Sequence, residues 1–142
     1  MRKILFKAKR KDNNVWVEGF YSCLFEESKN AEIPTIEFQH FEGASMDYPY
    51  ATCNTIFAEV IPETVCQYTG SKDKNGVKIF EGDIIKSNIC DLSYEIKWHD
   101  GGFYYGVPNE KTFNTKNISY ISVDLFEVTG NIHDKINNQC TE

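Results

Sequence analysis

No stretch of the sequence approaches the roughly 18 to 20 consecutive apolar residues that a membrane-spanning helix requires. The opening MRKILFKAKRKDNN starts with two positive charges, but its apolar stretch, Ile4-Leu5-Phe6, is far short of the roughly 7 to 15 residues of a secretory core. Secretion is therefore not expected, and the cytoplasm is the expected location. Leucine and alanine, both strong helix formers, total only 9, whereas isoleucine and valine total 22 and aromatic residues 20. That imbalance favours strands. The five cysteines (Cys23, Cys53, Cys66, Cys90, Cys140) are odd in number and form no C-x-x-C. A disulfide framework pairs its cysteines evenly, and a zinc site brings closely spaced ligands, so reduced, mostly buried thiols are expected. With 142 residues, 41% hydrophobic and 25% charged, the chain has the composition of an ordinary globular domain and needs no metal or disulfide to fold.

Charge is segregated along the chain. Arg2, Lys3, Lys7, Lys9, Arg10 and Lys11 are six of the 15 basic residues, with no acid among the first eleven positions. The net charge of −6 thus divides into a basic arm and a body carrying −12. Clustered Lys and Arg release counterions from a phosphate backbone, which makes Lys3, Lys7, Lys9, Arg10 and Lys11 the candidate nucleic-acid contacts. The alternation of Lys3, Lys7 and Lys9 with Ile4, Phe6 and Ala8 equally describes a charged strand face, and the acidic body would repel DNA. The strand reading is preferred. A third arrangement suits both halves: the basic edge of one subunit meeting the acidic body of another.

Turn signals punctuate a series of strands. Residues 2–10 alternate as a strand, Lys11-Asp12-Asn13-Asn14 turn, and Val15–Phe25 is a second long strand, giving a β-hairpin. Thr35–Phe41 predicts a third strand; Phe41–Tyr50 reads as an irregular loop; Thr52–Ile61 follows, of which Thr55–Val60 suits a helical turn as well as a strand. After Pro62 come a short strand at Val65–Tyr68, a polar loop at Thr69–Gly76, a strand at Val77–Phe80, and another from Ile84. Asn75-Gly76 is the strongest tight-turn signal. Ser93–His99 alternates, with Tyr94, Ile96 and Trp98 expected on one buried face. Asp100-Gly101-Gly102 turns the chain into Phe103-Tyr104-Tyr105. Ile118–Leu125 and Phe126–Ile132 are strand-like, and residues 133–142 form a polar tail. The expected fold is mainly β and antiparallel: an N-terminal hairpin (within 1–61) packed on a small, partly open barrel of the SH3 type (62–132), with little helix, as one domain.

Several of these residues form a recognisable signature. The run Val60-Ile61-Pro62-Glu63-Thr64-Val65, then Gln67-Tyr68-Thr69-Gly70, Lys72-Asp73-Lys74-Asn75-Gly76, Ile79 and Glu81-Gly82-Asp83-Ile84-Ile85 closely resembles the signature of the YopX family of phage and prophage proteins. An opening Ile4-Leu5-Phe6-Lys7-Ala8 followed by Trp16, and a closing Glu127-Val128-Thr129-Gly130-Asn131-Ile132, agree with it. The sequence departs from the pattern at Cys66, Phe80 and His133. The resemblance implies a predominantly β domain encoded by a phage or prophage, hence the cytoplasm of a bacterial host, and implies no activity, cofactor or catalytic residue. The dense loop comprising Gln67, Tyr68, Thr69, Gly70, Lys72, Asp73, Asn75, Gly76, Glu81 and Asp83 is either a structural turn or a contact surface, since loops on a rigid scaffold often carry function.

The remaining polar and aromatic residues offer few catalytic or ligand patterns. Ser71, Asp73 and Asn75-Gly76 imitate the start of a calcium loop, but Gly82 stands where the bidentate Glu belongs. Glu81 and Asp83 would share a face of a regular strand, yet one carboxylate pair is too few for a metal site. His40, His99 and His133 fall in no metal or catalytic spacing, and no G-x-S-x-G, P-loop or G-x-G-x-x-G occurs. A Cys–His nucleophile pair would have to be assembled by the fold. Phe20-Tyr21, Tyr48-Pro49-Tyr50 and Phe103-Tyr104-Tyr105 suit base stacking, but Lys97, Lys111 and Lys116 are a thin supply of charge for a nucleic-acid groove. The sequence therefore leads to a non-enzymatic domain without cofactor or metal that binds a protein partner or itself, with nucleic-acid binding as the alternative.

Overall fold

Turn residues decide where the strands of this chain end. The computed structural model describes residues 4–42, 52–87, 89, 91–108, 110, 111 and 125–134. Its described residues fall into two units, Leu5–Val65 and a second beginning at Cys66.

In the first unit, Asn14 adopts a left-handed φ of 58° and reverses the chain between β1 (Phe6–Lys9) and β2 (Trp16–Glu26). Asn and Asp tolerate that conformation better than other residues with a Cβ. The two strands pair antiparallel from Phe6↔Gly19 to Lys9↔Trp16. A 3-10 turn, Glu27–Lys29, capped by Asn30 at φ 46°, leads into β3 (Ala31–Glu42), and β4 (Thr52–Glu59) completes the spatial order β4-β3-β2-β1. The Thr55–Val60 segment, equally suited to a helical turn by sequence, is strand through Glu59 because its alternation seats Ala58 beside the buried Ile36. Beyond Glu59 the chain leaves β3 and returns to β1: Val60 bridges Arg10, and Ile61 N–H donates to Lys9 O at 2.9 Å. A second 3-10 turn, Pro62–Thr64, holds this return, with the Thr64 hydroxyl accepting the Lys9 amide at 2.9 Å. Ala8, Ile36 and Val60 form the core, flanked by Phe6, Val17, Phe38 and Val65.

The second unit pairs β5 (Cys66–Lys72) with β6 (Lys78–Phe80) and builds an antiparallel sheet in the order β10-β7-β8-β9 from β7 (Asp83–Ser87), β8 (Ser93–His99), β9 (Gly102–Gly106) and β10 (Phe126–Asn131). Ile79, Ile85, Ile96, Phe103, Tyr105 and Phe126 make its core. Each such buried side chain contributes roughly 1.5–3 kcal/mol. Aromatic edges interlock there, Tyr94 lying 5.2 Å from Tyr105 and 5.8 Å from Phe126.

The mainly antiparallel β chain expected from composition is what the structure shows, with no α-helix among the described residues. They close no barrel, and the four-stranded sheet is compatible with a partly open SH3-like arrangement. Three local expectations need correction. The polar loop expected to start at Thr69 is strand as far as Lys72, because Thr69 Oγ1 donates to Ile79 O at 2.8 Å and a bulge at Gly70, φ 91°, absorbs the irregularity. The third strand, expected over Thr35–Phe41, already begins at Ala31. Trp98 is 45% exposed, not buried with Ile96, because it sits beside the Asp100-Gly101 turn and packs only edge-on to Phe103 at 4.9 Å. The expected strand at 118–124, the loop at 43–50 and the tail from 135 lie outside the described residues.

Candidate functional site

The signature loop of the second unit is built around two buried aspartates. Asp73 directly follows β5, and its Oδ1 accepts the main-chain amides of Asn75 at 2.8 Å and Val77 at 2.9 Å. Its Oδ2 accepts the amide of Val128, on β10, at 3.0 Å. Burial opposes ionisation of this carboxyl, but the three amide donors outweigh it and hold its pKa below the usual carboxylate range. The aspartate thus replaces a peptide carbonyl in closing the Asp73–Val77 turn, which Gly76 completes at φ 78°.

Asp83, fully buried at the start of β7, repeats the device. Its Oδ2 accepts the Phe80 amide and its Oδ1 accepts Asn131 Nδ2, both at 2.8 Å. Asn131, the last residue of β10, also fixes the chain that follows it: its Oδ1 accepts the His133 amide at 3.0 Å, and its main-chain N–H donates to Asp134 Oδ2 at 2.8 Å. Gly82, at φ 81°, donates to Ile96 O at 2.8 Å and accepts from Ile132 N–H at 2.9 Å. The segments Glu81-Gly82-Asp83 and Gly130-Asn131-Ile132, far apart in sequence, therefore lock together.

These bonds place the ten expected loop residues in three groups. Tyr68, Asp73 and Asp83 are buried, Tyr68 stacked at 5.5 Å on Phe80. Gln67, Thr69 and Glu81 are half-buried, and the Glu81 amide donates to Gln67 O at 2.9 Å. Gly70, Lys72, Asn75 and Gly76 are exposed. Only the four exposed residues of this loop stand fully toward solvent, while Asp73 and Asp83 are buried. Burial raises the pKa of Glu81, partly offset by a hydrogen bond from Gln67. Glu81 and Asp83 do not present a joint ion site, since the Gly82 turn separates them and Asp83 is committed to Phe80 and Asn131. Among the described residues no group of three or more His, Cys, Asp or Glu side chains is placed to hold a metal.

The basic candidates are engaged within the first unit. Lys3 lies outside the described residues. Lys7 and Lys9 set their Nζ atoms 4.7 and 5.4 Å from the Trp16 ring centroid, and Lys9 is buried. Arg10 makes a bidentate pair with Asp12, at 3.0 and 2.8 Å, and Lys11 meets Glu59 at 3.2 Å. Among the aromatics, Phe103 and Tyr105 are core, Tyr104 lies 6.4 Å from His99, and Tyr48 and Tyr50 lie outside the described residues. Cys23 is exposed and Cys66 buried, the latter facing Asn131 Nδ2 at 3.9 Å.

Two surfaces escape a linear reading, and both lie in the first unit. On one sheet face, Phe20 and Phe57 flank Glu37 across three strands, 62% and 48% exposed, with Leu24 opposite Ile33. Alternation places them there, but only the cross-strand register shows that Phe20 and Phe57 both stand beside Glu37. The other surface is a groove of ≈ 540 Å³ between the start of β3 and residues 59–63, whose apolar lining includes Ile33, Pro34, Ile61 and Pro62. Pro34 inside a strand was its sequence signal, since proline in a strand marks an edge.

The fold is similar to the crystal structure of protein EF1440 from Enterococcus faecalis, with a TM-score of 0.55 and 24% identity over 97% of this chain and 99% of that one. At this identity the likeness describes the fold. No curated protein matches the sequence. The family model described as YopX protein matches residues 5–137, nearly the whole chain. Together with the interlocked motifs at 67–85 and 127–132, that match establishes that the chain belongs to the YopX family.

Proposed function

We propose that this protein is a phage- or prophage-encoded accessory factor that works without catalysis, by binding a protein partner or a second copy of itself. The observation that carries this reading is the exposed sheet face of the first unit, where Phe20 and Phe57 stand in solvent on either side of Glu37 and Leu24 lies further along β2, opposite Ile33. Contiguous exposed apolar side chains mark interaction surfaces, whereas isolated ones need no explanation. Aromatic anchors of this kind supply most of the energy of protein interfaces. The basic strand offers less to nucleic acid, because Lys7 and Lys9 lie over Trp16 while Arg10 and Lys11 are paired with acids.

Light scattering across a concentration series, with capture of partners from infected-host lysate, tests the proposal in the wild type and in a Phe20→Ser/Phe57→Ser variant. Self-association or a captured protein that the double substitution removes is the expected result. A strict monomer that captures nothing, or association unchanged by the substitution, overturns it.

A further inference from the structure

The groove of ≈ 540 Å³ has an open strand edge along one wall. Pro34 O accepts the Val60 amide at 3.0 Å, so the main-chain groups of Pro34 face the β4 side of β3. Successive residues of an antiparallel strand alternate sides, and Glu32 N–H and C=O therefore face the same way. The last pair between β3 and β4 is Thr35↔Glu59, after which the chain turns away to bridge Arg10. Glu32 thus offers an open donor and acceptor toward the groove. Pro34 fits here because the amide it lacks would have pointed along this edge.

Charge selects the occupant. The lysines lining the groove are already paired, Lys11 with Glu59 and Lys29 with Glu26, each at 3.2 Å. Glu32 and Glu63, both exposed and both on the lining, make no ion pair among the described residues. An apolar floor with unneutralised carboxylates suits a side chain with a hydrocarbon stem and a cationic head, and repels phosphates and acidic segments.

We propose that this groove binds an extended Lys- or Arg-bearing segment of a partner protein, which adds as a strand to the open edge at Glu32 and places a cationic head against Glu32 and Glu63. The inference rests on the protein-binding reading above and names the partner's chemistry. Strand addition supplies main-chain hydrogen bonds, and the groove supplies selectivity through alternate side chains.

The test is fluorescence anisotropy at low salt with a labelled, acetylated heptapeptide of alternating Lys and Val. A Glu-for-Lys peptide and a fully N-methylated peptide serve as controls. Binding of the Lys peptide alone is expected, weakened at least about tenfold by Glu32→Lys/Glu63→Lys and unaffected by the isoelectric control Asp91→Lys/Asp100→Lys. Absent binding up to about 1 mM peptide, equal loss in both double variants, no loss in the groove variant, or undiminished binding of the methylated peptide overturns the inference. If the charge reversal unfolds the protein, Glu32→Gln/Glu63→Gln must show the loss instead. Failure here with partner capture intact and sensitive to Phe20→Ser/Phe57→Ser leaves the protein-binding reading standing. Failure of that capture removes the reading itself.

Discussion

Asn131 Nδ2 donates to Asp83 Oδ1 at 2.8 Å, joining the first residue of β7 to the last of β10 inside the second unit. Asp83 is fully buried, and Asn131 also satisfies the amide of His133. Removing the asparagine withdraws one donor from a buried carboxylate, and an unsatisfied buried polar group costs roughly 1–3 kcal/mol, more where charge is involved. Asn131→Ala is therefore expected to destabilise the protein by about 2–3 kcal/mol in urea titration, with β7–β10 amides losing hydrogen-exchange protection before those of the first unit. Asn131→Asp, which sets two carboxylates together, is expected to be worse.

Gly19 and Gly70 distinguish two reasons for glycine. A Cβ on Gly19 would overlap the carbonyl oxygen of Glu37 on the neighbouring strand, so Gly19→Ala forces β2 and β3 apart. A loss of about 3 kcal/mol or more is expected, in the range of severe overpacking. A Cβ on Gly70 meets nothing within 4 Å, but its φ of 91° strains any other residue. Gly70→Ala is expected to cost about 1–2 kcal/mol. Chemical denaturation of the two variants side by side ranks them, and a reversed order would refute this assignment.

Most strands were legible because their alternation and turns are local. Ser93–His99 and its Asp100-Gly101 turn follow from period-two spacing and from two residues that accept a left-handed φ. What sequence could not show depends on register. Asp73 and Asp83 look like exposed loop acids until Val128 and Asn131, more than forty residues away, are brought to them. Lys9 reads as a surface charge because its spacing is polar, yet the return of residues 60–64 and the Trp16 ring enclose it. Phe20 and Phe57 become neighbours only through β3, and the groove exists only because β4 turns away at Glu59.

The pairing of the basic strand makes a direct prediction for nucleic acid. Electrostatic binding requires cations able to displace counterions, and its strength falls steeply with salt. With Arg10 and Lys11 held by Asp12 and Glu59 on a chain of net charge −6, neither duplex nor single-stranded DNA is expected to be retarded in a gel-shift assay at about 20 mM salt. Retardation that disappears at about 200 mM would instead give the basic strand a nucleic-acid role.

Asp73 and Glu81, eight positions apart in one motif, are expected to shift stability with pH in opposite directions. The Asp73 pKa is lowered, so its ionised form is favoured by folding. Its contribution is full above the unfolded carboxylate value of about 3.9 and is lost as pH falls through the folded value. Glu81 is raised by burial, so folding favours its protonated form, and its contribution is present below the unfolded value of about 4.3 and lost as pH rises through the folded one. Asp73→Asn is therefore expected to be clearly less stable than wild type at pH 7, with the gap closing toward pH 3. Glu81→Gln is expected to match or exceed wild type at pH 7 and to lose that advantage in acid. Denaturant melts at both pH values decide the matter: a pH-independent gap for Asp73→Asn would mean that its amide hydrogen bonds do not depend on the charge of the carboxylate, and destabilisation by Glu81→Gln at neutral pH would mean that the ionised Glu81 is held by its Gln67 bond more strongly than burial opposes it.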